Sequence, residues 1–363
     1  MTGFALYRLP HEQQVTMVAQ TEGEPQELLS CEELNGKTGF VVAPFSANEQ
    51  TPIVIIRPDV VRSFISADAC FLTDIQSVMC ELLVRKERTL SPCPADVLRT
   101  TYSSDFNRFF DRLKNGDYQK LVLSRCVEVP ADYSVSPLEL FQRACQLYPR
   151  LFISLVYTPK SGLWLTATPE ILLDGKGNEW RTIALAGTMK LKGDELKGEG
   201  ESLTWSTKNI QEQRYVASYL KECLEQFSDK IQEEGPRTVR AANLVHLRSD
   251  FTFTLLNNAC VGDVLQKLHP TPAVCGLPKQ ETYRFILDNE HTPRLYYSGF
   301  MGPLNMEDST HLYVSLRCMQ ITDSLYRLYA GGGLLKDSVE EQEWQETEAK
   351  LETMRQCIAI KTM

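Results

Sequence analysis

Apolar residues fall in short runs separated by turn residues along most of the chain. Residues 1–100 carry GFALYRL, QVTMVAQ, TGFVVAPF and PIVIIRP, each strand-sized and bounded by turn-forming or charged residues. A proline-containing connector, RTLSPCPADVLRT, follows. Beyond it the spacing predicts a helix over 104–113, an Asn-Gly-Asp turn and the strand YQKLVLSRCVEV. Further strands are expected at LFISLVYT, GLWLTAT, EWRTIALAGT, RLYYSGFMGPL, THLYVSLRCMQIT and SLYRLYAGG. Two long segments, about 207–227 and about 338–358, have helical periodicity instead. There is no regular strand–helix alternation, no internal repeat and no low-complexity tract. Many strands with interspersed helices predict an α+β fold with large, mainly antiparallel sheets.

The second long helix holds an anomaly. With Trp344 set at zero and roughly 100° per residue, Glu341, Gln345, Glu348, Glu352 and Arg355 cluster near ~60°, which marks the solvated face. Glu346 and Lys350 fall at about 200° and 240°, nearly opposite. An exposed i,i+4 ion pair would be the ordinary reading, worth a few tenths of a kcal/mol, but the wheel turns this pair inward. The first long helix repeats the pattern: Glu212 extends the stripe Val216, Tyr219, Leu220, Cys223, Phe227 backwards by one turn. Its ordinary reading is a first-turn glutamate favoured by the helix dipole. Two inward carboxylates on separate helices need a cation. With room for water and an anionic substrate they suit Mg²⁺. The glycines of YAGGGLLKDS fit neither phosphate-loop template and are better read as letting the backbone approach a ligand closely.

Composition narrows the classes. The chain has 363 residues, 43% hydrophobic and 23% charged, with a formal charge of −9 and no basic stripe, which disfavours nucleic-acid binding. No apolar run approaches the roughly 20 residues of a membrane helix, and no secretory signal pattern is visible at the N-terminus. The eleven cysteines form no Cys-x-x-Cys pair and are odd in number. They read as scattered free thiols of a reducing compartment, the cytoplasm. Five histidines and no paired thiols disfavour zinc.

The segments KLVLSR (120–125), TATPEILL (166–173), LAGT (185–188), KNIQEQ (208–213), HPTPAVCGLPK (269–279), LRC (316–318), YAGGG (329–333) and EWQETEAKL (343–351) occur in fixed order. Together they resemble the chorismate-utilising enzymes, and among them the isochorismate synthases. The resemblance implies one α+β domain over 1–363, with two large stacked antiparallel sheets flanked by helices. Residues 1–100 would be its divergent part and 104–363 its motif-bearing part. It also implies a Mg²⁺-dependent site. By position, Lys120 resembles the general base and Glu170 the general acid. Glu212 and Glu346 resemble the metal ligands, and Arg317 and Lys350 match substrate-carboxylate positions. Gly187, Thr188, Ala273 and Gly331 match contacts to the ring and side chain, and His246 matches a histidine near the substrate.

The chemistry is consistent with this set. Moving the hydroxyl of chorismate from C4 to C2 needs a base for the attacking water, an acid for the departing hydroxide and a Lewis acid for the carboxylate. Members of the family that make anthranilate carry Gln at the Lys120 position, and those that make aminodeoxychorismate carry Lys where this chain has Ala186. The expected reaction is therefore isochorismate formation for menaquinone or siderophore biosynthesis. Salicylate formation by subsequent pyruvate elimination is the alternative, and a silent scaffold is the other class. The small molecule chorismate is the expected partner, with no nucleic acid, membrane or glutaminase subunit, and a monomer is expected. Two departures stand out: Gln213 where the family often has His, and Ala184 where Pro is commoner.

Overall fold

The computed structural model describes residues 1–65, 93–132, 135–190, 204–241, 244–256 and 261–359. Strands β1 (Gly3–Arg8), β2 (Gln14–Gln20), β3 (Gln26–Leu28), β4 (Gly39–Ala43), β5 (Ile53–Ile56) and β6 (Val60–Ile65) precede helix α1 (Ala95–Lys114). Then come β7 (Lys120–Pro130), α2 (Pro137–Leu147), β8 (Phe152–Thr158), β9 (Gly162–Thr168), β10 (Ile171–Lys176), β11 (Glu179–Lys190) and α3 (Thr207–Leu224). A hairpin of β12 (Ile231–Ala241) and β13 (Leu244–Thr254) leads to α4 (Val261–Leu268), β14 (Gly276–Leu277) and α5 (Lys279–Asn289). The chain closes with β15 (Phe300–Leu304), β16 (Ser309–Val314), β17 (Cys318–Ile321), β18 (Leu325–Leu334) and α6 (Glu340–Ile358).

These strands form two nine-stranded sheets, ordered β14-β7-β18-β17-β9-β8-β1-β2-β6 and β12-β13-β11-β10-β16-β15-β4-β5-β3. Neighbours within each sheet pair antiparallel. The α+β class with large antiparallel sheets is therefore what the pattern of runs predicts. The reason the runs read as nearly continuous apolar stretches is that both faces are covered. In β8, Ile153 and Leu155 pack with α2 and α6 residues such as Phe141 and Met354, while Phe152 and Val156 pack against the other sheet. Phe152 stacks on Tyr313 of β16 at 4.3 Å between ring centroids, joining the sheets. Truncating such a ring to Ala would cost about 3–5 kcal/mol. Helices α3 and α4 cover the outer face of the second sheet through Val216, Leu220, Val264 and Leu265. Helices α1 and α5 cover the β7 end of the first through Phe106, Phe109 and Ile286.

Several local expectations need correction. The segment read as a connector already contains the first turns of α1, which starts at Ala95 behind Pro94 and runs well before residue 104. Its buried stripe Tyr102, Phe106, Phe109, Leu113 continues through a Thr/Ser-rich stretch that hides the period. Only Phe300–Leu304 of RLYYSGFMGPL is a strand. Leu295 (φ 50°) and Ser298 (φ 61°) are left-handed there, a conformation with no sequence signature for such residues. Strands β3, β6, β10, β12, β13 and β14 and helices α2, α4 and α5 have no counterpart among the elements expected from the sequence.

Candidate active site

Lys120 is the first residue of β7 and is completely buried. Its ammonium lies 3.0 Å from Glu212 Oε1, yet it makes no well-directed hydrogen bond. Glu212 sits on the inward face of α3, continuous with Val216, Leu220 and Cys223. Burial works against its charge, but the ammoniums of Lys120 and Lys208 outweigh that and hold the carboxyl below its ordinary value. Room for this pair comes from the triple glycine in β18. A Cβ on Gly333 would lie 2.1 Å from Glu212 Oε1 and 3.0 Å from Lys120 Cε, whereas one on Gly332 would meet nothing closer than Glu343 Oε2 at 3.5 Å. Gly333 thus makes space for the ion pair, and Gly331 and Gly333 also line the small cavity beside it.

Glu346 and Lys350 do turn inward on α6. Their side chains are only 21% and 19% exposed, their charges are 2.8 Å apart, and Lys350 Nζ also donates to Gly331 O at 2.8 Å. Sequence reasoning missed a third carboxylate. Glu343 is 2% exposed and is closely paired with Lys208. Burial, aided by the charge of Glu346, raises its carboxyl even against that lysine. The signal was present, since Glu343 falls at about 260° on the same wheel, beside Lys350. The site therefore interleaves Glu212, Glu343 and Glu346 with Lys120, Lys208 and Lys350.

Glu170 occupies the corner between β9 and β10 and is fully buried. Burial pushes its carboxyl up to about 8, against the opposing pull of Lys120, Lys350 and Arg317. At neutral pH this group holds a proton. Arg317, between β16 and β17, is left-handed (φ 46°) and is lowered to about 10 by burial. It donates from Nη2 to His246 Nε2 at 2.5 Å. Burial and the charges of Arg317 and Lys350 push His246 well below the ordinary histidine range, so it is neutral. Its Nδ1 lies 3.1 Å from Gly187 O and 3.3 Å from Thr188 Oγ1. With Nε2 accepting from arginine, the ring carries its proton on Nδ1 and donates it to Gly187 O. Gly187 (φ 72°) is the bulge residue of β11, where the register against β13 slips between Ala186 and Thr188.

One small cavity, ≈ 60 Å³, is lined by Glu170, Gly187, Thr188, Glu212, His246, Ala273, Arg317, Gly331 and Lys350. Lys120 reaches it through its contact with Glu212. Glu346 faces an adjoining open groove of ≈ 650 Å³ shared with Thr188, Lys208 and Glu343. All the residues singled out by sequence thus lie in or beside this one place. The loop with Ala273 is tied to β7 by a buried ion pair. Arg294 donates to Val274 O at 2.7 Å and to Val122 O at 2.8 Å, and its partner Glu290 accepts from Ser124 N at 2.7 Å. Strand β14 pairs with β7 only at Lys120 and Leu121, so these side chains complete the edge of β7 beyond it.

Among the described residues no group of three His, Cys, Asp or Glu side chains is arranged to hold a metal ion. A cation that needs only one or two protein carboxylates is a different demand. Glu212 and Glu346, from α3 and α6, each bring a carboxylate oxygen close to neighbouring glycines of β18, Gly333 and Gly332.

Fold and site together set a buried carboxyl, Glu170, and a buried lysine, Lys120, in and beside one cavity between the sheets and helices. The chain belongs to the chorismate binding enzyme family, whose profile matches residues 77–359. Isochorismate synthase EntC of Escherichia coli is 30% identical over 238 residues, covering 65% of this chain and 61% of that protein. Isochorismate synthase MenF of the same organism is 30% identical over 245 residues, covering 67% and 56% respectively. The chain thus spans about three fifths of the length of the curated relatives it matches. Among solved structures, the 2,3-dihydroxybenzoate-specific isochorismate synthase DhbC from Bacillus anthracis superposes with a TM-score of 0.79 at 22% identity, over 97% of this chain and 95% of that one. The menaquinone-specific MenF from Escherichia coli gives 0.77 at 21% identity, over 98% and 89%. At these identities the two structures share the fold.

Proposed function

We propose that the protein interconverts chorismate and isochorismate. The observation that carries this reading is the pairing, around one cavity, of a neutral carboxyl and a buried lysine in a site otherwise rich in cations. Glu170 holds its proton up to about pH 8 and is placed to deliver it to the hydroxyl leaving C4. Lys120 rests as an ammonium beside Glu212; to take the proton of the water attacking C2 it must first release its own proton to solvent and act as the free amine. In the reverse direction the roles exchange. Arg317 and Lys350 receive the two substrate carboxylates as point charges and forks. His246 fixes the Arg317 guanidinium and has its own lone pair occupied by it, which disfavours His246 as an alternative base. Ala186 places no amine beside the bulge, in keeping with water as the nucleophile.

Glu212 and Glu346 would hold Mg²⁺, which when bound supplies positive charge and Lewis acidity against the substrate carboxylate. The carboxylates are paired with Lys120 and Lys350. A dication arriving with a dianion leaves the net charge of the site unchanged, and the lysines can turn from glutamate to substrate. The cavity of ≈ 60 Å³ is smaller than the ring with its side chain, so binding requires side chains that line it, Lys350 among them, to shift. We place the reaction in the cytoplasm, in a monomer that works without a glutaminase subunit. It would feed menaquinone or siderophore biosynthesis, as relatives called menaquinone-specific and vibriobactin-specific suggest.

The test is incubation with chorismate and Mg²⁺, with and without EDTA, followed by chromatographic separation of products. Isochorismate that disappears with EDTA is the expected result. Salicylate with pyruvate as the main product, an aminated product with ammonia, or no turnover would overturn the reading.

A further inference from the structure

Strand β11 is paired along its whole length with β13, but with β10 only over Glu179–Arg181. Past that point no described strand pairs with its other edge, and this is the stretch that carries Ala186, Gly187 and Thr188 into the cavity. Gln213, one residue after Glu212 on α3, fills the gap. Its Oε1 accepts from Ala186 N at 2.9 Å and its Nε2 donates to Ala184 O at 3.1 Å and Ser249 Oγ at 3.4 Å. The side chain is 2% exposed. A carboxamide presents a donor and an acceptor side by side at every ordinary pH, as the backbone of a neighbouring strand does. Gln213 therefore stands in for one residue of a missing strand, at the position where the chain departs from the histidine common in its family.

We propose that Gln213 is a positioning residue for substrate binding: its carboxamide fixes the β11 bulge, and through the bulge the orientation of His246 and Arg317. The route is made of named contacts. Gln213 holds Ala184 and Ala186; Gly187 follows directly and its carbonyl takes the His246 Nδ1 proton; the His246 Nε2 lone pair then takes Arg317 Nη2. If the bulge carbonyl drifts, His246 loses the acceptor that holds its Nδ1 proton, and with it the ring orientation that aims its Nε2 lone pair at Arg317. The effect falls on holding the dianion rather than on the proton transfers of Lys120 and Glu170. This inference rests on the functional reading above for its kinetic part only.

Gln213→Met keeps length and removes all three hydrogen bonds. KM for chorismate should rise about 10- to 100-fold, the scale of stranding a buried donor and acceptor, with kcat within about threefold. Imidazole ¹⁵N shifts of His246 should lose the clean Nδ1–H pattern of the wild type. Ser249→Ala, which removes only the longest of the three contacts, should leave KM nearly unchanged. A Gln213→Met enzyme with wild-type KM and His246 shifts, or one that loses kcat with KM intact, overturns the proposal. Should that variant fail to fold, hydrogen exchange on the wild type decides: the Ala186 amide must be protected as strongly as the β11–β13 ladder, and fast exchange there refutes the splint. If the wild type does not turn over chorismate, the functional reading falls. The Ala186 exchange and His246 tautomer then still test Gln213 by themselves.

Discussion

Replacing Glu170 by Gln should make the protein more stable at neutral pH while removing its activity. Glu170 ordinarily would lose its proton near 4.5, and burial moves that to about 8. The folded state therefore holds a proton that the unfolded chain has released between those values. With the native value raised, the stabilising contribution is complete below about pH 4.5 and drains away as pH rises towards about 8. The shift of about 3.5 units at 1.36 kcal/mol each gives roughly 5 kcal/mol as an upper bound, of which about 3 is already lost at pH 7. Gln keeps the volume and stays neutral, so it escapes this loss, although it forgoes the attraction of Lys120, Lys350 and Arg317 that ionised Glu170 enjoys. Denaturant melts of both proteins at a series of pH values, in fixed salt, read the difference directly. The Glu170→Gln advantage should grow from near zero at about pH 5 to several kcal/mol at about pH 8 and then level off. A difference that is flat over that window, or that shrinks with rising pH, would show that Glu170 is not a proton-holding carboxyl, and the acid role would fall with it.

The same titration sets the alkaline limb of catalysis: forward kcat/KM should decline above about pH 8 as Glu170 ionises, and a rate that is flat to pH 9.5 would contradict it. Lys120→Ala should lower kcat by about 10²–10⁴ with a much smaller change in substrate affinity; lost binding with kcat intact would make Lys120 an anchor instead of the base. Glu212→Gln and Glu346→Gln should each abolish Mg²⁺-dependent turnover, with the metal requirement read by titration of Mg²⁺ and the fold by circular dichroism. Near-wild-type rates at limiting Mg²⁺ would rule out both as ligands. Gly333→Ala should cripple activity and cost about 1–3 kcal/mol, because its Cβ would sit 2.1 Å from Glu212 Oε1. Gly332→Ala, whose Cβ would meet its nearest neighbour at an ordinary contact distance of 3.5 Å, should keep both, and the reverse order would disprove the account of the triple glycine.

How far the site could be read in advance depended on how local its signals are. Glu212, Glu346 and Lys350 show themselves within single helices, because a charged residue on an apolar stripe violates a period of 3.6. Glu343 violates it equally, but a first-turn acidic residue has a ready explanation in the helix dipole. Its neighbours Glu340 and Glu341 do stay outside, near Arg99. Lys120 looks like any strand-end lysine until β14, β18 and α3 close around it. The Arg317–His246 contact joins residues 71 apart in sequence and leaves no local trace. Strands with both faces covered read easily as apolar runs. The β12–β13 hairpin did not, since Glu233, Glu234, Arg237 and Arg248 interrupt it with charge on its solvated side. The RLYYSG segment failed because left-handed Leu295 and Ser298 are imposed by tertiary contacts such as Phe45 N to Leu295 O and Ser298 N to Ser315 O.

The Arg294–Glu290 pair grips its targets by main-chain atoms: two carbonyls, Val274 O and Val122 O, and one amide, Ser124 N. A clamp of that kind does not register which side chains the gripped residues carry. The wall of the cavity formed by Ala273, Val274 and Val122 can therefore be re-lettered while its spacing to the floor is kept. Side-chain volume and backbone geometry become separately adjustable, the first by substitution along the wall and the second by the Arg294–Glu290 clamp together with the β14–β7 pairing. For anyone reshaping the pocket towards a bulkier or smaller cyclohexadiene, the wall is the variable surface and the clamp is the part to leave untouched.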